Sequence, residues 1–251
     1  MTSVRVDILT AAPVSSRPEV LEPEELGRWM RLRQEADRDR LFTGVMLRRE
    51  ALRQRAGRFV PVDRRCRGCG TVDHGEVQPL EAADRARWRT SLSHSGTIVM
   101  LAIADLNGPD IDIGIDVESV SRLEPRMARH MLSAPERSRL LHPTSWSLCG
   151  VWTAKEAVLK ALGCGLHVPM TDIEIAGSVS GSHAPAVRAR GTDTRLRPLH
   201  DRHSRIIDVT DMLSDTCDKE GPLRAALMVL GATDVRLHRR LIPAELLASV
   251  T

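Results

Sequence analysis

Three short stretches of this chain carry side chains whose types and spacing suit chemistry on a charged substrate. In VWTAKEAVLKALGCGL, residues 151–166, Glu156 and Lys160 are four apart and share a helix face, while Val151, Val158, Leu159 and Leu162 cover the other side. Of the 36 Lys and Arg residues only three are lysine, Lys155, Lys160 and Lys219, and two of these fall in this one segment. Arginine is planar and always charged, whereas lysine is a compact ammonium whose pKa moves on desolvation, so the segment is expected to need an amine. In GIDVES, residues 114–119, Asp116 and Glu118 project to one side of a strand, because side chains alternate with period two. Two carboxylates on one face repel unless a cation lies between them, and magnesium, which binds a few carboxylates together with phosphate oxygens and water, suits that place. Gly114 adds little to this reading. In SLSHSG, residues 91–96, Ser93, His94 and Ser95 offer hydroxyl and imidazole donors to an anion. Each stretch taken singly has a plainer reading: a surface i,i+4 salt bridge, two solvated acids at a strand end, a locally satisfied histidine.

These side chains need elements to hold them. SVRVDIL (3–9) reads as a strand, and Pro23 to about Arg55 as one or two helices. Residues 56–91 read as loop with a short helical patch near EAADRARW. TIVMLAIAD and DIDIGIDVES are strands joined by the turn LNGP. Helical patterns return over Arg126–Leu141 and Ser145–Leu162, the latter closed by Gly163 and Gly165, and strands follow near 172–176, 185–190, 204–210 and 224–230. A faint echo between DRDRLFTGVMLRREAL and ERSRLLHPTSWSLCGVWTAKEAVL suggests two similar α/β halves, 1–110 and 111–251, meeting at a cleft.

Composition narrows the classes. At 251 residues, 42% hydrophobic and 27% charged, the chain is a folded protein whose core rests on aliphatic side chains, since aromatics are only 2%. A net charge of +3 with interleaved acids, and no basic run studded with aromatics, argues against a nucleic-acid surface. The longest apolar run, TIVMLAIA, is far shorter than the roughly 20 residues a membrane helix needs, and no signal peptide is read at the N-terminus. The five scattered cysteines suit a reducing compartment, so a cytoplasmic location is expected. Cys66, Cys69 and His74 lie close together but lack a fourth zinc ligand, which makes a plain loop the preferred reading.

The order of the motifs is more specific than any one of them. S-H-S, then G-I-D-V-E, then W-x-x-K-E-A-x-x-K-x-x-G-x-G-L resembles the 4′-phosphopantetheinyl transferases, in particular the larger, pseudo-dimeric, Sfp-like class, over roughly Glu25 to Leu230. The resemblance implies an α/β (α+β) fold of two similar subdomains related by pseudo-two-fold symmetry, with the active site at their interface. It implies attack by a carrier-protein serine on the β-phosphate of coenzyme A, releasing 3′,5′-ADP. Asp116, Glu118 and Glu156 are then the ligands of Mg²⁺, with Mn²⁺ an alternative, and Glu156 is the general base, directly or through water. Lys155 and Lys160 face the coenzyme A pyrophosphate, Lys160 stabilising the leaving phosphate. Ser93 and His94 contact coenzyme A phosphates, and Arg40, with neighbouring Arg38 as the alternative, the nucleotide end. The implied partners are acyl or peptidyl carrier domains, as used in polyketide and nonribosomal peptide synthesis, met by an exposed rim within Arg122–Arg129; a monomer is expected. One departure stands out. Where relatives carry a basic residue in H-G-K/R-P or G-K-P, this chain reads DHGEVQP with Glu76, which leaves three readings open: weaker coenzyme A binding, transfer of the task to Arg64, Arg65 or Arg67, or a specialised enzyme. A silent coenzyme A-binding module and a pyrophosphate hydrolase are the competing readings.

Overall fold

The computed structural model describes residues 2–65, 70, 77–106, 110–177, 185–213 and 221–250. Cys66, Cys69, His74, Glu76 and most of the expected LNGP turn lie outside the described residues. In chain order the elements are β1 (Ser3–Ala11), α1 (Pro23–Arg31), α2 (Glu35–Ala56), β2 (Val62–Asp63), β3 (Gln78–Pro79), α3 (Ala82–Arg85), β4 (Trp88–Ser95) and β5 (Ile98–Asp105). The second part runs β6 (Asp112–Ser119), α4 (Ala128–Met131), α5 (Ala134–Arg139), α6 (Ser145–Ala161), β7 (Ile173–Ala176) and β8 (Ala186–Ala189). It ends with α7 (Pro198–Asp201), β9 (Ser204–Asp208), β10 (Leu223–Leu230), β11 (Asp234–Leu241) and α8 (Ala244–Ala248).

Two sheets form the centre, one ordered β11-β1-β5-β4 and the other β6-β10-β9. Their inner faces share one core: Val4, Val6 and Ile8 of β1 and Ile98, Met100 and Ala102 of β5 pack with Ile113, Ile115 and Val117 of β6 and Ala225, Leu227 and Val229 of β10. The outer face of the first sheet, with Leu9, Val99, Leu101 and Ile103, is covered by Phe42, Met46 and Leu47 of α2. The outer face of the second, with Ala226, Met228 and Leu230, is covered by Ala154, Val158 and Ala161 of α6. The strands therefore alternate between two cores, and residues that look uniformly apolar in sequence divide by parity. The layers run α2, sheet, sheet, α6. No described helix is long and apolar enough to cross a membrane.

The structure corrects the expected halves in one respect. The span 111–251 does not remain a separate unit, because β11 pairs in parallel with β1 over Ser3↔Asp234 to Thr10↔Leu241. Leu247 of α8 then packs in the core under α2. β11 takes the edge that β1 would otherwise present, and its own charged residues, among them Arg236, Arg239 and Arg240, suit an edge strand. The expected single helical run over 126–141 is instead two short helices separated by Leu132 and Ser133. Ser133 opens α5 with a capping box to Glu136.

α6 approaches β6 closely at Gly114. A Cβ built there would lie 1.9 Å from the Ala157 carbonyl oxygen and 2.6 Å from the Ala161 nitrogen, both backbone atoms. Gly114 therefore sets how deep α6 sits, which the motif reading of GIDVES missed. Gly114→Ala is expected to lower stability by about 3 kcal/mol or more, or to prevent folding, because the helix must back away from the sheet. Denaturant unfolding checks this, and a change under about 1 kcal/mol would show that the approach is not as close as described.

Candidate active site

β4 is where the two sheets meet, and its alternation divides the S-H-S motif between two tasks. Leu92 and His94 point towards α2; Gly44 of α2 leaves room for Leu92, whose Cδ1 would be 2.9 Å from a Cβ at position 44. Ser91, Ser93 and Ser95 point towards β6. There the Ile115, Val117 and Ser119 backbone N–H groups donate to the Ser91, Ser93 and Ser95 hydroxyl oxygens at 3.1, 3.3 and 3.1 Å. The Ser93 hydroxyl in turn donates to Asp116 Oδ1 at 2.7 Å, and the Ser95 hydroxyl to Glu118 Oε1 at 2.6 Å. Ser93 borders the cavity described below, but its hydroxyl is engaged by Asp116 and Val117. It is not placed as the free phosphate donor that was expected.

Asp116 and Glu118 share the β6 face that meets α6, as the period of two required. Asp116 is 6% exposed. Its Oδ1 accepts from Lys160 Nζ at 2.7 Å, and Lys160 also donates to the Ile115 carbonyl at 3.0 Å. Lys160 thus turns to β6 and not to Glu156, which replaces the i,i+4 pairing that the helix spacing suggested. Burial pushes the Asp116 carboxyl above its ordinary range, with Glu118 adding to the rise, while Lys160 and Ser93 oppose it. Glu118 is held by Ser95, by the Ser119 N–H at 2.8 Å and by Arg122 at 3.6 Å. Glu156 is different: among the described residues no hydrogen bond or ion pair engages its carboxylate. Burial, then the charges of Asp116 and Glu118, push it up to about 7 against the pull of Lys160.

Lys155 does not reach this site. Five residues along an α-helix turn a side chain by about 140° from its starting direction, so Lys155 and Lys160 cannot both face one ligand. Lys155 is fully buried, and its ammonium donates to Glu136 Oε2 at 2.5 Å and to the Met131 and Met170 carbonyls at 2.6 and 2.9 Å. Glu136 Oε1 also accepts the Ile175 N–H at 2.8 Å, which ties α5 and β7 to the back of α6. Removing one member of such a pair leaves a buried charge and costs about 3–5 kcal/mol. The amine serves packing here, and the expected contact with coenzyme A is corrected.

On the other side of Lys160 a cavity of about 250 Å³ opens between α2, β4 and α6, lined by Arg28, Leu41, Gly44, Val45, Arg48, Arg64, Leu92, Ser93, His94 and Lys160. A second lobe of about 170 Å³ shares Arg48, Arg64, Leu92 and Lys160 and runs to Gly163 and Gly165. Four cations converge on this space. Burial and the neighbouring charges of Arg28 and Arg48 pull Arg64 down to about 9. Such crowding of like charges is relieved by an anion. Sequence reading identified Arg64 as one substitute for the missing basic residue, and the structure puts it in the wall, whereas Arg65 is exposed and Arg67 lies outside the described residues. Arg28 and Arg48 gave no signal, since nothing distinguishes them from the other arginines in sequence.

His94 keeps solvent-exposed surface although most of the volume around its ring is protein. Desolvation, then the charges of Lys160 and Arg40, pull it down to about 4, so the imidazole is neutral near pH 7. Arg40 does not line the cavity. Its guanidinium donates to the Gly96 carbonyl at 2.8 Å and pairs with Asp37 at 2.6 Å, pinning the β4–β5 turn, where Gly96 has a φ of 52°. In this structure Arg40 holds that turn, and its charge is felt by His94.

Comparison with known proteins agrees with the span that holds the carboxylates. Residues 112–209 match the family described as the 4′-phosphopantetheinyl transferase superfamily. Holo-[acyl-carrier-protein] synthase of Geobacillus kaustophilus is 31% identical over 111 residues, 39% of this chain and 86% of that protein. The enzyme of the same name from Campylobacter jejuni is 32% identical over 83 residues, 30% of this chain and 70% of that protein. 4′-Phosphopantetheinyl transferase gsp of Aneurinibacillus migulanus is 30% identical over 89 residues, but the match spans only 35% of that protein. The crystal structure of Thermotoga maritima holo-[acyl-carrier-protein] synthase aligns with 23% identity and a TM-score of 0.34, over 49% of this chain and 64% of that one, a likeness too remote to carry residues across. The matched span contains Asp116, Glu118, Glu156 and Lys160, and with relatives aligned over most of their own lengths the chain belongs to the 4′-phosphopantetheinyl transferase superfamily.

Proposed function

We propose that this protein transfers 4′-phosphopantetheine from coenzyme A to a serine of an acyl or peptidyl carrier protein, releasing 3′,5′-ADP. The observation that carries the proposal is the division of charge about Lys160: cations line the cavity on one side, and three carboxylates gather on the other. A pyrophosphate fits such a boundary, with its anionic oxygens towards Arg28, Arg48, Arg64 and Lys160. Neutral His94 gains a partner when a phosphate approaches, and its pKa then rises.

Among the described residues no three acidic, histidine or cysteine side chains already stand as a metal cluster. The donor chemistry nonetheless suits a hard divalent cation. Burial and the charge of Glu118 raise the Asp116 carboxyl, burial and the charges of Asp116 and Glu118 raise that of Glu156, and Glu156 has no protein partner among the described residues. Asp116, Glu118 and Glu156 would hold Mg²⁺, or Mn²⁺, which when bound supplies positive charge to the phosphate oxygens. Glu156 accepts the proton of the carrier serine, directly or through water, since an ionised carboxylate has the acceptor lone pairs for it. Lys160 stabilises negative charge on the departing phosphate. The exposed Arg122 and Arg126, with side chains 62% and 80% accessible, offer an acidic carrier surface a rim for steering. Two sheets, each backed by one long helix, support the larger, pseudo-two-fold class, acting as a cytoplasmic monomer on polyketide or nonribosomal peptide carriers.

Incubation with coenzyme A, Mg²⁺ and apo-carrier, followed by mass measurement of the carrier, tests the proposal. A phosphopantetheine gain supports it; 3′,5′-ADP without that gain means hydrolysis, and neither product means a binding module. In the same assay Lys160→Arg is expected to lose on the order of a hundredfold in turnover at saturating substrates. The site holds a compact ammonium between Asp116 and the Ile115 carbonyl, which a guanidinium fork does not reproduce. Activity within a few-fold of the parent would show that charge alone suffices.

The Glu156 carboxyl also links stability to pH. Its pKa rises from the ordinary 4.5 to about 7 on folding, so the folded state binds the proton more tightly. The stability this contributes is complete below the unfolded value and is lost as pH rises through about 7. In EDTA, Glu156→Gln is expected to be more stable than the parent at pH 8 by on the order of 1–2 kcal/mol, allowing for its partial exposure, with the gap closing near pH 5. Denaturant unfolding at both pH values decides it, and equal or lower stability of Glu156→Gln at pH 8 would contradict the assignment.

A further inference from the structure

We propose that Ser95 and Ser93 are positioning residues that aim the Glu118 and Asp116 carboxylates, so that the first sheet sets the geometry of the acidic site on the second. This inference rests on the reading of those carboxylates as metal ligands. Each hydroxyl holds two things at once. Ser95 accepts the Ser119 N–H at 3.1 Å and donates to Glu118 Oε1 at 2.6 Å. Ser93 accepts the Val117 N–H at 3.3 Å and donates to Asp116 Oδ1 at 2.7 Å. A serine hydroxyl has one proton, so a group that gives it to a carboxylate and accepts a backbone N–H is fixed in rotation. Both serines are buried, at 2% and 7% exposure, and water does not compete freely for these bonds. The two bridges are two residues apart on β4 and reach carboxylates two residues apart on β6, so one strand register fixes both. Ser91 continues the row to the Ile115 N–H, at a position where β6 has Gly114 and no carboxylate to aim. A shift of β4 relative to β6 would therefore disturb both acids together.

The test uses Ser95, which, unlike Ser93, lines neither lobe of the cavity described above. Mn²⁺ is titrated into the full-length protein saturated with coenzyme A, and free Mn²⁺ is followed by electron paramagnetic resonance against coenzyme A alone. Ser95→Ala is expected to weaken Mn²⁺ binding about tenfold, and Ser95→Cys, which fills the same space with a weak donor, similarly. Ser95→Thr, which keeps the hydroxyl, should stay within about threefold of the parent, and metal-free coenzyme A binding should be unchanged in all three. If Ser95→Ala does not melt cooperatively, Ser95→Cys carries the comparison. Parent-like Mn²⁺ affinity in Ser95→Cys, or a loss of coenzyme A affinity of the same size, would overturn the inference. A parent that binds no Mn²⁺ above background would overturn the metal reading itself, and this inference with it.

Discussion

The contact between β4 and β6 constrains the rest of the molecule. β6 has backbone N–H groups on the side away from β10, and a buried N–H must find an acceptor. β4 supplies none from its own backbone. Three serine hydroxyls supply it instead, each worth about 1 kcal/mol by the usual net value of a hydrogen bond and more if left unmade. Because the link runs through side chains, the two sheets need not be coplanar, and their inner faces are free to stack on a common core. Two of the same hydroxyls reach on to Asp116 and Glu118. The joint that holds the halves together is in this way part of the site's geometry.

Electrostatics divides the site along a line through Lys160. On the cavity side burial and the charges of Arg28 and Arg48 make the Arg64 charge costly to hold. On the sheet side Asp116 and Glu156 are both raised by burial and by neighbouring acids. The Arg64 charge on one side and those of Asp116 and Glu156 on the other are thus disfavoured in a region of low dielectric, and Lys160 offsets only part of the acidic excess. A ligand bringing anion to one side and cation to the other satisfies both at once. That is the property expected of a site organised for charge in transit and not for maximal stability of the empty protein.

The two lysines of α6 illustrate how one helix serves two purposes. Lys160 lies at the boundary of cavity and carboxylates. Lys155, on another face, is locked to Glu136 and two carbonyls and joins α6 to α5 and β7. Gly114 holds the helix close to β6 from the opposite side. The depth and rotation of α6, and with them the directions of Glu156 and Lys160, follow from these two fixed points.

Much of this was legible in the sequence, because local periodicity is a local property. The helix over 145–161, the strands at 98–105 and 112–119, and the shared face of Asp116 and Glu118 follow from periods of 3.6 and two. The residue types of the acidic trio and Lys160 likewise stand in the sequence and are the basis of the expectation of a charged substrate. The rest depended on contacts between residues far apart in the chain. The N–H groups that engage the serines lie 24 residues further along, and the strand paired in parallel with β1 begins at position 234. Nothing in VWTAKEAVLK says that Glu136 waits for Lys155, or that Asp116 outcompetes Glu156 for Lys160. Those outcomes are decided by which groups are buried together, since a buried charge must take the partner that packing brings within reach. Sequence named the chemical groups; the packing of α6 against β6, and of β6 against β4, assigned their partners.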